Sequence, residues 1–156
     1  SVRQNLEYTI KLRDLPGSWE KEVEGILELM NLKEYSDRPT ISLSGGEKRK
    51  AALARALILK PDLLLLDEPL SSLDVTSKVN LRDEIRMIHR YLDITVIHVT
   101  HDQQEALGLA DQLGVMRRGT IVFSGTVEDV YSNPVDLYAA RFLGYENIFD
   151  VNYVDT

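Results

Sequence analysis

Leu63-Leu64-Leu65-Leu66-Asp67-Glu68-Pro69 runs four consecutive leucines into two adjacent carboxylates and a proline. A short unbroken apolar run between breakers reads as a parallel strand buried on both faces, not as the alternating strand of a half-exposed sheet. Pro61-Asp62 opens it, and a second run of the same texture follows from Ile94 to Val99. Between the two, Leu81, Ile85, Ile88 and Leu92 recur at helical spacing on one stripe. Strand, helix and strand make a βαβ unit, so the predicted class is α/β with parallel strands. The adjacent Asp67 and Glu68 are poorly explained by packing, because unpaired buried charge is costly. Open α/β sheets place their ligand crevice at this end of the strands. The plain alternative is a solvated loop that begins with acids.

Working toward the N-terminus, residues 1–60 read as helices. Ser18 is placed to cap a helix whose apolar positions Val23, Ile26, Leu27 and Met30 follow helical spacing, and Asp37-Arg38-Pro39 closes the region with a turn. Residues 47–59, rich in Ala and Leu, predict a further helix ended by Lys60-Pro61-Asp62, since proline disfavours helix at the residue before it. Toward the C-terminus, a helix is expected from about residue 102 to Ala110. Leu113 to Met116 and Thr120 to Phe123 then form a hairpin through Arg117-Arg118-Gly119. Two short helices follow, one capped by Thr126-x-x-Asp129, the other by Asn133 ahead of Pro134 and stopped at Gly144. The expected organisation is a helical subdomain over residues 1–60, an α/β core over 61–145, and a tail over 146–156 that leads toward a further element.

Composition narrows the function classes. With 156 residues and 44% hydrophobic content the chain is of single-domain size. Its formal net charge of -7, from 25 acids and 18 basic residues, argues against a nucleic-acid partner. It has no cysteine and no N-x-[ST] sequon, and the start Ser1-Val2-Arg3-Gln4-Asn5 is no signal peptide, so the cytosol is the default compartment. The apolar runs are strand-sized, well short of the ~20 residues of a membrane-spanning helix, so a membrane role would come through a partner and not by direct insertion.

Leu43-Ser44-Gly45-Gly46-Glu47 precedes the 47–59 helix. Taken locally, Ser44-x-x-Glu47 is a capping box of the kind found at many helix starts. The glycine pair adds something, because it leaves backbone amides uncovered where the helix dipole favours an anion. Pro69-Leu70-Ser71-Ser72-Leu73-Asp74 continues from the acid pair, with Asp74 able to cap the next helix. His98 and His101, three apart, fall on opposite faces of a continuing strand and so do not suggest a shared metal. His98 reads as a core or sheet-edge residue.

In this order and on these elements, the motifs resemble the signature, Walker B, D-loop and switch histidine of ABC-type ATPases. The likeness extends over residues 1–145. It implies a partial P-loop NTPase (RecA-like) core plus an α-helical signature subdomain. It further implies ATP and Mg2+ as cofactors and two subunits sandwiching nucleotide. Ser44, Gly45, Gly46 and Glu47 would meet the γ-phosphate of a nucleotide held by the opposite subunit. Asp67 would hold Mg2+ through water, and Glu68 would orient or deprotonate the attacking water. Asp74 would communicate across the dimer, and His101 would contact the γ-phosphate. Lys48-Arg49-Lys50 departs from the glutamine-rich continuation common there. The G-x-x-x-x-G-K-[ST] phosphate loop is absent from the chain; Gly114 to Gly119 has the glycine spacing, continues with Thr120-Ile121, and reads as a hairpin turn.

The resemblance implies the ATPase subunit of an importer, peripheral on the cytoplasmic face of the membrane through transmembrane permease subunits. The closing Phe142-Leu143-Gly144-Tyr145-Glu146-Asn147 is similar to importers of oxyanions such as molybdate or tungstate, or of polyamines. Without the phosphate loop the chain alone is expected to be inactive. Two alternatives stand beside this reading. One is a non-transport relative in DNA repair or translation, which would be expected to bring coiled-coil heptads or a basic face. The other is a non-enzymatic module that folds and self-associates.

Overall fold

The computed structural model describes residues 1–13, 18–71 and 73–149. Within it the chain forms two compact units, Ser1–Val99 and Thr100–Thr156. The boundary expected at residue 60 falls inside the first unit, while Ser72 and most of the tail lie outside the described residues.

The first unit is helical over its first half. Helix α1 (Val2–Leu12) buries Val2, Leu6 and Ile10, one residue per turn on a single stripe. Helix α2 (Glu20–Leu29) buries Val23, Ile26 and Leu27, with Met30 just past its end also in the core. Ser18 does not cap it. The helix starts one residue later, with Trp19 at the cap position and no side-chain cap bond. The Trp19 ring packs against the core and carries the Lys11 ammonium 5.2 Å from its centroid, so its burial sets the helix start.

Helix α3 (Gly45–Leu57) buries Leu53, Ala54 and Leu57. It ends before Lys60, which takes a left-handed φ of 48° and donates its N–H to the Leu57 carbonyl. Strands β1 (Leu63–Asp67) and β2 (Thr95–Val99) pair in parallel, Leu63 opposite Thr95 and Asp67 opposite Val99. The 18-residue helix α4 (Val75–Leu92) connects them and buries Leu81, Ile85 and Ile88, the expected stripe. Burying each of these three is worth roughly 1.5–3 kcal/mol relative to exposure, which holds the crossover against the core. Asp93 then turns the chain with φ 51°.

The expectation of two buried strand faces is corrected. Leu64, Leu66 and Val96 join the core, but Leu65, Ile97 and Val99 stand on the opposite face and are 67%, 51% and 54% exposed. The apolar run records a face that no described element covers.

The second unit is built on a hairpin of β3 (Gln112–Arg117) and β4 (Thr120–Thr126). Its two-residue loop, Arg118 at φ 49° and Gly119 at φ 80°, has the paired positive φ of a type I′ turn, which matches the strand twist. The glycine-spaced segment from Gly114 is therefore strand and turn. Helix α5 (Gln103–Leu109) precedes the hairpin, and α6 (Val127–Ser132) and α7 (Leu137–Phe142) follow it. Val115, Val130 and Leu143 form a small core with Leu107, Leu113 and Phe123.

Thr126 caps α6 by accepting from the Asp129 N–H, as expected. Asn133 does not cap α7; it ends α6, with its N–H on the Asp129 carbonyl. Asp136 caps α7 instead, accepting from the Ala139 N–H at 2.7 Å. Gly144 (φ 88°) ends α7 as expected. Its N–H donates to the Arg141 carbonyl and that of Tyr145 to the Ala140 carbonyl, the bond pair of a Schellman motif.

Candidate functional site

The first unit brings together the start of α3, the end of β1 and the start of α4. Ser44 caps α3 reciprocally: its Oγ accepts from the Glu47 N–H at 3.3 Å, and Glu47 Oε2 accepts from the Ser44 N–H at 2.7 Å. The Ser44 backbone N–H, followed by its hydroxyl, holds the Glu47 carboxyl below the usual carboxylate range. The capping box thus exists as local chemistry. Gly45 and Gly46 are another matter. A methyl on Gly45 would meet nothing within 4 Å, and one on Gly46 only the Ser77 Oγ at 3.9 Å. Both residues are helical, where glycine costs about 0.5–1 kcal/mol relative to alanine, so nothing within the unit calls for glycine there.

Asp67, the last residue of β1, is exposed and forms no ion pair among the described residues. Glu68 follows it on a left-handed backbone (φ 44°), with its N–H on the Val99 carbonyl at 2.9 Å. A glutamate there is uncommon, because positive φ brings its Cβ against the backbone. The chain then closes a turn in which the Ser71 N–H and hydroxyl both donate to the Glu68 carbonyl, at 3.1 and 2.8 Å. Arg49, from the second turn of α3, reaches into this turn. Its guanidinium donates to the carbonyls of Glu68 (3.2 Å), Pro69 (2.6 Å) and Ser71, and contacts the Ser71 hydroxyl at 3.4 Å. In the sequence Arg49 stands out only within Lys48-Arg49-Lys50, a departure from the glutamine-rich continuation. The available signal was its place four residues before Leu53, on the core-facing stripe of α3.

Asp74 caps α4, its Oδ1 accepting from the Ser77 N–H at 3.0 Å. The Ser77 side chain, then its N–H, lowers the Asp74 carboxyl from its ordinary value. Lys50 and Glu84 form a partly buried ion pair joining α3 to α4.

His98 lies within β2 opposite Leu66 and is half-buried. His101 is exposed and belongs to the second unit, in a tight turn ahead of α5. There the Thr100 hydroxyl accepts from the Asp102 N–H (3.0 Å) and donates to the buried Glu105 carboxylate (2.7 Å). Asp102 in turn caps α5 through the Gln104 and Glu105 amides.

The residues fit an Mg2+ nucleotide in part. Mg2+ sites of this kind use one or two carboxylates together with phosphate oxygens, and Asp67 is an exposed oxygen donor of that type. Among the described residues no three His, Cys, Asp or Glu side chains gather as a metal cluster, so most of the coordination would come from phosphate and water.

The ABC transporter family model matches residues 1–71. The Fe(3+) ions import ATP-binding protein FbpC of Fusobacterium nucleatum is 42% identical over 97% of the chain and 41% of its own length. The molybdate/tungstate import ATP-binding protein WtpC of Pyrococcus abyssi is 42% identical over 96% of the chain and 44% of its own length. Among solved structures, cbiO1 of Clostridium perfringens, part of the ABC transporter complex cbiONQ, superposes with a TM-score of 0.76 at 27% identity. That match covers 85% of the chain and 53% of cbiO1. The chain is similar to part of an ABC transporter ATP-binding domain and shares the α/β fold of cbiO1 over the portion matched. It spans a little over two fifths of the length of the import proteins it matches.

Proposed function

We propose that this chain supplies the signature and acidic half of the ATPase that powers an ABC importer. The observation that carries the reading is the glycine pair at the start of α3, capped by Ser44 and Glu47 yet facing no atom that would exclude a Cβ. Amides at a helix N-terminus point outward toward a site where the dipole favours negative charge. The γ-phosphate of ATP held by a second subunit meets both requirements, and Ser44, Gly45 and Gly46 are its contacts, with Glu47 fixing the helix start.

On the same reading Asp67 holds Mg2+ through water and Glu68 orients or deprotonates the attacking water. Asp74 passes closure across the dimer, and His101 touches the γ-phosphate. A bound Mg2+ would offset the charge that gathers on the phosphate oxygens. Among the described residues no helix is long and apolar enough to cross a membrane, so transport requires transmembrane permease subunits, and the protein works at the cytoplasmic membrane face. The relatives carry different cargoes in their names at equal identity, iron in one and molybdate or tungstate in the other, so the cargo class stays at solute import.

The test uses the native full-length subunit with hydrolysis blocked by Glu68→Gln. Adding Ser44→Arg should leave nucleotide affinity of the monomer within about two-fold, because uniform cis contacts are untouched, while abolishing the ATP-dependent dimer. A dimer that persists at the same ATP concentration refutes the trans role of the signature.

A further inference from the structure

We infer that Arg49 is the positioning residue that holds the acidic loop to the signature helix, an assignment that rests on the reading of Glu68 above. Arg49 makes no ion pair among the described residues. Its planar guanidinium is spent on neutral backbone instead, on three carbonyls and one hydroxyl of the Glu68–Ser71 turn. One five-donor group can bridge that many acceptors, which a lysine ammonium cannot do in the same plane.

The turn it grips needs such a hold. Glu68 sits at φ 44°, a conformation a glutamate keeps only where its surroundings over-determine it. The Glu68 N–H on the Val99 carbonyl, and the Ser71 N–H and hydroxyl on the Glu68 carbonyl, also anchor the turn. These lie on the strand side or within the turn. Arg49 ties the turn to α3, and α3 is the helix that begins with Ser44-Gly45-Gly46. The guanidinium therefore fixes the distance between the helix that meets phosphate and the carboxylate that meets water. Contact of the α3 N-terminus with an anion is carried to the Glu68 backbone through this guanidinium. Glu68 takes its catalytic direction from that backbone, and a misplacement of about 1 Å at a reacting group can cost 10²-fold in rate.

The experiment compares Arg49→Met and Arg49→Lys with the unsubstituted native full-length subunit, well below every variant's melting temperature. Saturating turnover, KM for ATP and amide hydrogen exchange are read on each. For Arg49→Met the expected result is a kcat lowered about 10- to 100-fold with KM within about two-fold, the signature of a positioning loss. Exchange should quicken at the Glu68 and Ser71 amides but not along α3 or β2. Arg49→Lys should fall between Met and the native residue in both readouts. A kcat within two-fold of the native value overturns the assignment, as does quickened exchange spread evenly over α3, β1 and β2, which marks a role in stability only. Glu68→Gln is run alongside: if it leaves turnover intact, the reading of the acid pair fails and the assignment falls with it. If Glu68→Gln abolishes turnover while Arg49→Met does not reduce it, only the assignment fails.

Discussion

Glu47, half-buried, and Asp74, exposed, owe their lowered pKa to the helix starts they cap, Glu47 chiefly to the Ser44 backbone and Asp74 chiefly to Ser77. A carboxyl whose pKa is depressed by folding stabilises the fold above its unfolded pKa, and that contribution is lost as pH falls through the lower folded value. Acid should therefore weaken α3 and α4 at their N-termini, starting just below the ordinary carboxylate range, with little change between there and neutrality from these two groups. Melting temperatures measured from neutral pH into acid should show it. In Glu47→Gln/Asp74→Asn, where both side chains still accept hydrogen bonds but cannot titrate, the acid limb should be shallower than in the native chain. An unchanged slope would mean that the caps carry no linked protons. Both residues were legible from sequence, since each cap and its partner lie three residues apart, Ser44 with Glu47 and Asp74 with Ser77. Arg49 was not, because its partners lie 19 to 22 positions away and are backbone carbonyls, which carry no residue identity.

Among the elements, α3 sets two demands against each other. Alanine at Gly45 has space in the structure, so Gly45→Ala should raise the stability of the native subunit by about 0.5–1 kcal/mol through a stiffer unfolded chain and better helix propensity. The same methyl covers the amides proposed to meet phosphate, so ATP-dependent dimerisation should weaken in the more stable protein. Denaturant titration and dimer affinity, read on one preparation, separate the effects; a gain in both would remove the ligand-based reason for glycine. The stripe of α4 and the hairpin turn at Arg118-Gly119 followed from periodicity and turn chemistry, which are local. The misplaced helix starts have local causes too. Ser18 lost to Trp19 because burial of the indole outweighed a surface cap, and Asn133 lost to Asp136 because α6 ran on into it. The uncovered strand face escaped the sequence because Leu65 and Ile97 look the same whether or not another element packs on them.

For the whole molecule, the two-stranded parallel pair with Leu65, Ile97 and Val99 exposed is a core face awaiting cover. Edges and faces of this kind attract further chain or a second copy. The chain spans a little over two fifths of the length of the import proteins it matches, and it contains no G-x-x-x-x-G-K-[ST] segment. Phosphoryl transfer is mostly positioning and electrostatics, so half of the constellation should not turn over. The most direct measurement is steady-state Mg2+-ATP hydrolysis by this chain alone and by the native full-length subunit, each with and without Glu68→Gln. The account predicts no turnover above background for the chain alone, and turnover by the full-length subunit that Glu68→Gln lowers by about 10²- to 10⁴-fold, the usual worth of a positioned base. Hydrolysis by the chain alone that Glu68→Gln abolishes, or a full-length subunit indifferent to that substitution, would contradict it.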